Sequence, residues 1–237
     1  MINSIAQFLA QILRIFYDWT GSYGLAIILL TLAVKLVLHP LTRRQLRSMK
    51  EMQYLAPQMT ALREKYKGDA QRMNVELMNL YRAHKISPLG GCLPLLLQIP
   101  VLWALFAVFR IPDIFNGATF LGMPLEQVPS FQAMAQSPVL AVWPLLVAAT
   151  TYLQQRMSIT DPQQARMFIF MPILVGWFAL SFPIGLSVYW VTSTLAYMLE
   201  YYIVVGGFTP PPPAAPISDD KPALTVLPQR PKGTKKR

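Results

Sequence analysis

Residues 23–41 read YGLAIILLTLAVKLVLHPL, and this stretch decides the fold. It is apolar except for one full charge, at Lys35, and it ends at His39-Pro40. At about 1.5 Å per residue, a helix of this length crosses a hydrocarbon core of about 30 Å. Of the 237 residues of the chain, 54% are hydrophobic and only 14% are charged, too few to cover a soluble domain. The sequence therefore predicts an all-α integral membrane protein.

Four further apolar segments resemble membrane spans. Prolines interrupt several of them, which membrane helices tolerate because neighbouring groups satisfy the freed backbone. Besides 23–41, the predicted spans are 88–109, 138–155, 167–182 and 186–205. A tight turn at Pro183-Ile184-Gly185 separates the last two. We therefore expect a polytopic protein with a five-transmembrane-helix core over residues 19–205.

Two segments attached to this core are amphipathic rather than apolar. Residues 1–18 place apolar side chains on one helical stripe and are too short to span, which predicts an external interfacial helix. Residues 42–86 are charged, with apolar residues at three- and four-residue steps on both sides of Gly68-Asp69. Glycine ends a helix and aspartate begins one, so residues 42–86 are predicted to form an antiparallel helical hairpin outside the membrane.

The charges predict how the chain is oriented. The net charge is +10, and ten of the 21 Lys and Arg residues lie between Leu41 and Ile86, with six more after Asp220. Because basic residues accumulate on the cytoplasmic side of a membrane protein, we expect the hairpin and the C-terminus inside and the N-terminus outside. Residues 206–237 are rich in proline and are predicted to be a disordered basic tail.

The sequence disfavours intramembrane proteolysis. No Asp lies inside a predicted span, there is no His-Glu-x-x-His pair, and the single cysteine, Cys92, has no partner for a disulfide or a metal site. We therefore predict no catalytic residue, no metal and no cofactor. Glu200, near the inner end of the last span, is interpreted as a solvated boundary carboxylate, and His39 as an interfacial residue.

Lys35 is the residue that a simple membrane anchor would not carry. A cation at the centre of a span costs about 2.5–3.5 kcal/mol on insertion scales, so it either snorkels to the near surface or faces a water-filled cavity. The span alone leaves both alternatives open. Thr31 lies one turn earlier on the same face, and Gln98 is a polar group at membrane depth in the second span. Together these side chains would line a hydrated concavity open to the cytoplasm.

Several short motifs occur in the order found in one known family. They are His39-Pro40-Leu41-Thr42, Asn79-Leu80-Tyr81, the run 87–94 (SPLGGCLP) with Gln98-Ile99-Pro100, and 182–186 (FPIGL) with Tyr189-Trp190. From residue 19 to residue 202 the chain resembles the YidC family of membrane-protein insertases, whose relatives include the mitochondrial oxidase-assembly and chloroplast Albino proteins.

The resemblance implies an insertase that works without ATP hydrolysis and without a cofactor. Its five helices would enclose a hydrophilic groove that is open to the cytoplasm and to lipid and closed on the outer side. Lys35 matches a positive groove residue that is Arg in many members. Thr31, Tyr189 and Trp190 match positions that contact the client, and Gln98 matches a groove-side glutamine.

The expected function is therefore insertion and folding of integral membrane proteins in a bacterial plasma membrane. The expected partners are nascent clients, the lipid bilayer, the ribosome through the basic tail and the hairpin, and the Sec translocon, around a monomeric core. One alternative is an ion or solute transporter that uses Lys35, His39 and Glu200, although no internal repeat is visible. Another is an assembly chaperone that folds clients after other machinery has inserted them.

Overall fold

The computed structural model describes residues 2–84, 93–109, 111, 114–159 and 166–206, and these residues are mostly helical. The helices are α1 (Ile2–Thr20), α2 (Tyr23–Lys65), α3 (Ala70–Ala83), α4 (Leu93–Phe109), α5 (Phe131–Gln136), α6 (Val142–Ser158), α7 (Met171–Ala179) and α8 (Ile184–Tyr201). Short strands β1 (Thr119–Phe120) and β2 (Met123–Pro124) precede α5. The predictions for Cys92 and for the tail from residue 207 onward lie outside the described residues.

The first predicted span and the first half of the predicted hairpin form one continuous helix, α2. Pro40 lies inside it and does not end it. A proline removes one backbone hydrogen bond, here the one to the carbonyl of Leu36, and membrane helices tolerate such a loss. The Thr42 hydroxyl donates to a different carbonyl, that of Leu38, at 3.2 Å. Of the helices in the described residues, α2 alone is long and apolar enough to cross a membrane by length and composition, and the apolar segment Gln98–Phe109 is shorter.

The C-terminal half of α2 and α3 form a helical hairpin. The turn is built by Gly68, at φ +117, and by Asp69, whose carboxylate accepts a hydrogen bond from the Arg72 backbone N–H at 3.0 Å. This is an N-cap interaction, as the sequence predicted at this position. The seam between the two helices is apolar and includes Leu55, Met59, Leu62 and Leu80.

The largest apolar core lies at the opposite end of α2 from the hairpin. α1 contributes Ala6, Ala10 and Leu13, which are buried against α2 and α4. A second apolar stripe of α1 remains exposed and includes Phe8 and Trp19. The helix therefore has one apolar face for the core and another that is free to contact lipid, which is compatible with the predicted interfacial position.

The segment between α4 and α6, predicted only as an irregular loop, contains a β-hairpin. Its turn uses Leu121 and Gly122, both with positive φ, and the β1 ring of Phe120 packs directly on Gly24 of α2. Any side chain at Gly24 would overlap that ring, since a Cβ there would lie 2.0 Å from it. The close contact fixes the loop against the start of α2.

The last three helices are α6, α7 and α8. α7 (Met171–Ala179) is shorter than the predicted span 167–182, and its second residue, Pro172, is compatible with a helix start because the first-turn N–H groups need no helical partner. Gly176 brings α7 into close contact with Ala148 of α6. α8 begins after the predicted turn at Pro183 and continues as a π-helical turn over Tyr202–Gly206.

Candidate functional site

A groove of about 350 Å³ lies between α2, α4, α6, α7 and α8. It lies in the half of the bundle nearest the hairpin, because its α2 wall runs from Thr31 to Met49. On the other side of Thr31 the bundle is filled by the main apolar core, including Ile27, Leu30 and Val188. The groove therefore ends at a packed core rather than continuing as a channel through the bundle.

The wall formed by α2 carries the cation predicted from the sequence. Its groove residues recur at three- and four-residue steps and are Thr31, Val34, Lys35, Leu38, Thr42, Gln45 and Met49. Lys35 is half-buried, and its Nζ lies 5.9 Å from the centre of the Tyr197 ring on α8, close enough for a cation–π interaction. Among the described residues no salt bridge involves Lys35. The Lys35 side chain lines the groove.

A polar contact between α4 and α8 forms the second wall. Gln98 donates from Nε2 to the Tyr189 hydroxyl at 2.5 Å and lies 3.4 Å from the Ser193 hydroxyl. Tyr189 and Ser193 are one turn apart on α8, so one amide reaches both. This arrangement satisfies polar atoms between two apolar helices and joins α4 to α8.

A second polar contact joins α8 to α6. The indole Nε1 of Trp190 donates to the Thr151 hydroxyl at 3.1 Å. Nearby, Gln155 donates to the carbonyl of Phe168 at 2.6 Å, and Ser158 lies 3.2 Å from the Tyr197 hydroxyl. Many polar side chains of the groove are thus hydrogen-bonded to one another, so the surface offered to a ligand is largely apolar around one cation.

The structure brings all five residues singled out in the sequence to this one groove. They differ in accessibility: Thr31 and Tyr189 are 3% and 2% exposed. The Thr31 hydroxyl also donates to the carbonyl of Ile27 at 2.7 Å, within its own helix. Lys35, Gln98 and Trp190 are partly exposed. Lys35, Gln98 and Trp190 can therefore contact a ligand directly, whereas Thr31 and Tyr189 form the wall.

Other groove residues were not singled out in the sequence. They include Gln45, Gln154, Gln155, Ser158 and Tyr197. Gln45 is 4% exposed, and its Nε2 has no hydrogen-bond partner within the described ranges. Gln45 continues the helical stripe of Thr31 and Lys35, so the periodicity of α2 could have identified it as a groove residue. The prediction missed it because it assigned 42–86 to a separate hairpin.

Glu200 differs from its interpretation as a solvated carboxylate. Its side chain is only 14% exposed, and its Oε1 lies 2.7 Å from His39 Nδ1. The pair joins α8 to α2 and does not line the groove. This contact could not be predicted from the sequence, because it depends on how α8 is rotated against α2. In the described part of the chain, no three His, Cys, Asp or Glu side chains are grouped so as to hold a metal ion.

The groove suits binding of a peptide rather than bond-breaking chemistry. A half-buried ammonium attracts carboxylates, and its field is stronger at a partly desolvated position than in bulk water. The apolar remainder of the lining can hold hydrophobic side chains. Apolar helices surround a groove in which Lys35 is the charged side chain among the described lining residues, and this combination indicates a helical membrane protein with a polar groove.

Comparisons with known proteins agree with this class and narrow it. The sequence model of the family described as "60Kd inner membrane protein" matches residues 15–209. The chain belongs to this family, whose members are proteins of the bacterial inner membrane.

Two similar proteins and one similar solved structure show which kind of membrane protein the chain resembles. The membrane protein insertase YidC of Caldanaerobacter subterraneus subsp. tengcongensis is 36% identical over 200 residues, covering 84% of this chain and 93% of that protein. The membrane protein insertase YidC of Fusobacterium nucleatum subsp. nucleatum is 38% identical over 205 residues, covering 86% and 96%. A crystal structure of an active YidC insertase with its first transmembrane domain resolved is similar with a TM-score of 0.68 and 29% identity, covering 84% of this chain and 46% of that one.

Proposed function

We propose that this protein inserts integral membrane proteins into the bacterial inner membrane and assists their folding, and that the groove is where the client is received. The observation that carries the proposal is the half-buried Lys35 in a blind groove between apolar helices. The similarity to membrane protein insertases over almost their whole length supports it. No catalytic residue and no cofactor take part.

In the proposed topology five spans cross the membrane, centred on α2, α4, α6, α7 and α8. The α1 end lies outside, and the hairpin and the C-terminus lie in the cytoplasm. Three exposed cations, Arg43, Arg44 and Arg47, follow the apolar part of α2, as expected for a cytoplasmic boundary. The groove would then open towards the cytoplasm, and the packed core near Leu30 would close it on the outer side.

Lys35 would act by attracting the acidic external segment of a client into the groove. Because the groove extends part of the way along the bundle, it would shorten the apolar path that this segment has to cross. The same ammonium makes no salt bridge among the described residues, so it is available to a client carboxylate. Gln98 and Trp190, which are partly exposed in the groove, would contact the client beside it.

Release into lipid would occur between α6 and α8. The client's apolar span gains about 25 cal/mol for each Å² that it removes from water, which drives the step without a nucleotide. The Trp190–Thr151 hydrogen bond spans this seam and would have to open for the client to pass. Because it is a single hydrogen bond between neutral groups, opening it costs only about 0.5–1.5 kcal/mol.

The basic regions would bring clients to the groove. We propose that the hairpin and the basic tail bind ribosomal RNA through its phosphates, and that the core acts as a monomer, alone or beside the Sec translocon. Such contacts weaken as salt rises because they release counterions. Binding of ribosomes to the full chain should therefore weaken with increasing salt.

Reconstitution tests the proposal. The purified chain is placed in proteoliposomes, and a single-span client is synthesised without ribosome receptors or other membrane proteins. Protection of the client's external segment from added protease, at levels well above empty liposomes, supports the insertase. Flux of ions or solutes without a client, together with no protection, would favour a transporter. Folding only of pre-inserted clients would favour an assembly chaperone.

A further inference from the structure

A contact between a histidine and a carboxylate lies beside the groove without lining it. His39 Nδ1 lies 2.7 Å from Glu200 Oε1, and an ionised carboxylate can only accept, so the imidazole donates. The other oxygen, Glu200 Oε2, is buried and has no hydrogen-bond partner among the residues that the structure describes. A buried carboxylate oxygen left unpaired is costly, so joining α2 to α8 does not by itself account for a carboxylate at this place.

Lys35 lines the groove and lies one helical turn from this pair. It precedes His39 by one turn of α2, and its ammonium lies over the ring of Tyr197, which precedes Glu200 by about one turn of α8. The side chains of Lys35 and Glu200 are therefore brought to the same part of the seam between α2 and α8, but they form no salt bridge in the described part of the protein. The Lys35 ammonium thus has a carboxylate of the protein near it, and that carboxylate is held by His39.

We infer that His39 is a positioning residue that holds Glu200 in the seam between α2 and α8, so that Lys35 stays available to acidic clients. This inference rests on the proposed function. Without the imidazole, both oxygens of the Glu200 carboxylate would lack a partner among the described residues, and Lys35, one turn from His39 on α2, would be a cation that they could bind. A Lys35–Glu200 salt bridge would then compete with the client's carboxylate for the same ammonium.

The pair would therefore set specificity for the charge of the client rather than the ability to insert. A client with a neutral external segment does not need the ammonium, and its insertion should not depend on where Glu200 lies. A purely structural role predicts something different. If the pair only joined α2 to α8, its loss would impair all clients alike, and removing the charge of Glu200 would not restore them.

The experiment uses the full chain in proteoliposomes and two versions of one single-span client, with an acidic and a neutral external segment. The measured quantity is the amount of the acidic client inserted divided by the amount of the neutral client inserted. His39→Ala should lower this ratio about fivefold or more, the lower end of an energetic coupling between two sites. The double variant with His39→Ala and Glu200→Gln should return the ratio to that of the wild type, since the competing charge is gone.

Two further variants keep the result interpretable. His39→Gln retains an N–H donor and should keep a ratio close to the wild type, even if His39→Ala folds poorly. Lys35→Ala should lower the ratio by itself, and adding His39→Ala should lower it no further. An unchanged ratio in His39→Ala, an equal loss for both clients, or no recovery in the double variant would overturn the inference. Failure of the wild type to insert even the neutral client would instead contradict the proposed function.

Discussion

Replacing Lys35 by alanine removes the full charge found among the described lining residues of the groove and gives the most informative single substitution. A client carboxylate about 4 Å from the ammonium gains about 1 kcal/mol at the dielectric constant of water and about 4 kcal/mol at an effective value of 20. Lys35 is half-buried in a groove that is open at one end, so the interaction lies between these limits, and desolvation removes part of it. We expect a net loss of about 1–2 kcal/mol, or about 5- to 30-fold in the rate of insertion.

The assay is insertion of a single-span client into proteoliposomes, followed in time by protease protection. Lys35→Arg, which keeps the charge, should retain most of the rate. Leu36→Ala is the matched control, because Leu36 is the next residue of the same helix, is 75% exposed and does not line the groove. The loss should be confined to clients with acidic external segments. Full insertion of an acidic client by Lys35→Ala, or an equal loss for a neutral client, would refute the reasoning.

Three other substitutions test the packing that supports the groove. Gly24→Val should destabilise the protein by about 1–3 kcal/mol, because its side chain would overlap the Phe120 ring, and an unchanged thermal midpoint in detergent would contradict the contact. Asp69→Ala should cost the hairpin about 1 kcal/mol by removing the cap, seen as faster hydrogen exchange over α3, whereas Asp69→Asn should preserve it. Gln98→Leu should cost about 1 kcal/mol because the buried Tyr189 hydroxyl loses one of its two side-chain partners and keeps Ser193, and in a double-mutant cycle with Tyr189→Phe the two losses should not add.

Much of the helical organisation could be predicted from local features of the sequence. Apolar runs indicated the helices, and residues that favour helix ends indicated where they stop or start. Examples are Gly68-Asp69 before α3 and Pro183 before α8. The predicted break at Pro40 did not occur, because a proline inside an apolar helix interrupts only one hydrogen bond. The β-hairpin at Phe120 was missed because two-residue strands carry no periodicity.

The candidate site was predictable where a polar residue interrupted an apolar run, as at Lys35 and Gln98. Such residues are costly in a span and therefore conspicuous. Pairings between helices were not predictable, because they depend on the rotation of one helix against another. The contact between His39 and Glu200 is of this kind, as is the hydrogen bond from Trp190 to Thr151.

The central claim is that a client passes through the groove, and site-specific photo-crosslinking tests it most directly. A photoreactive side chain at Gln154 would face the groove from α6, while one at the adjacent Leu153, which is 49% exposed and lies outside the lining, would face away from it. A client arrested early in insertion should crosslink from position 154 and not from position 153. Equal crosslinking from both positions, or crosslinking only from 153, would contradict the account.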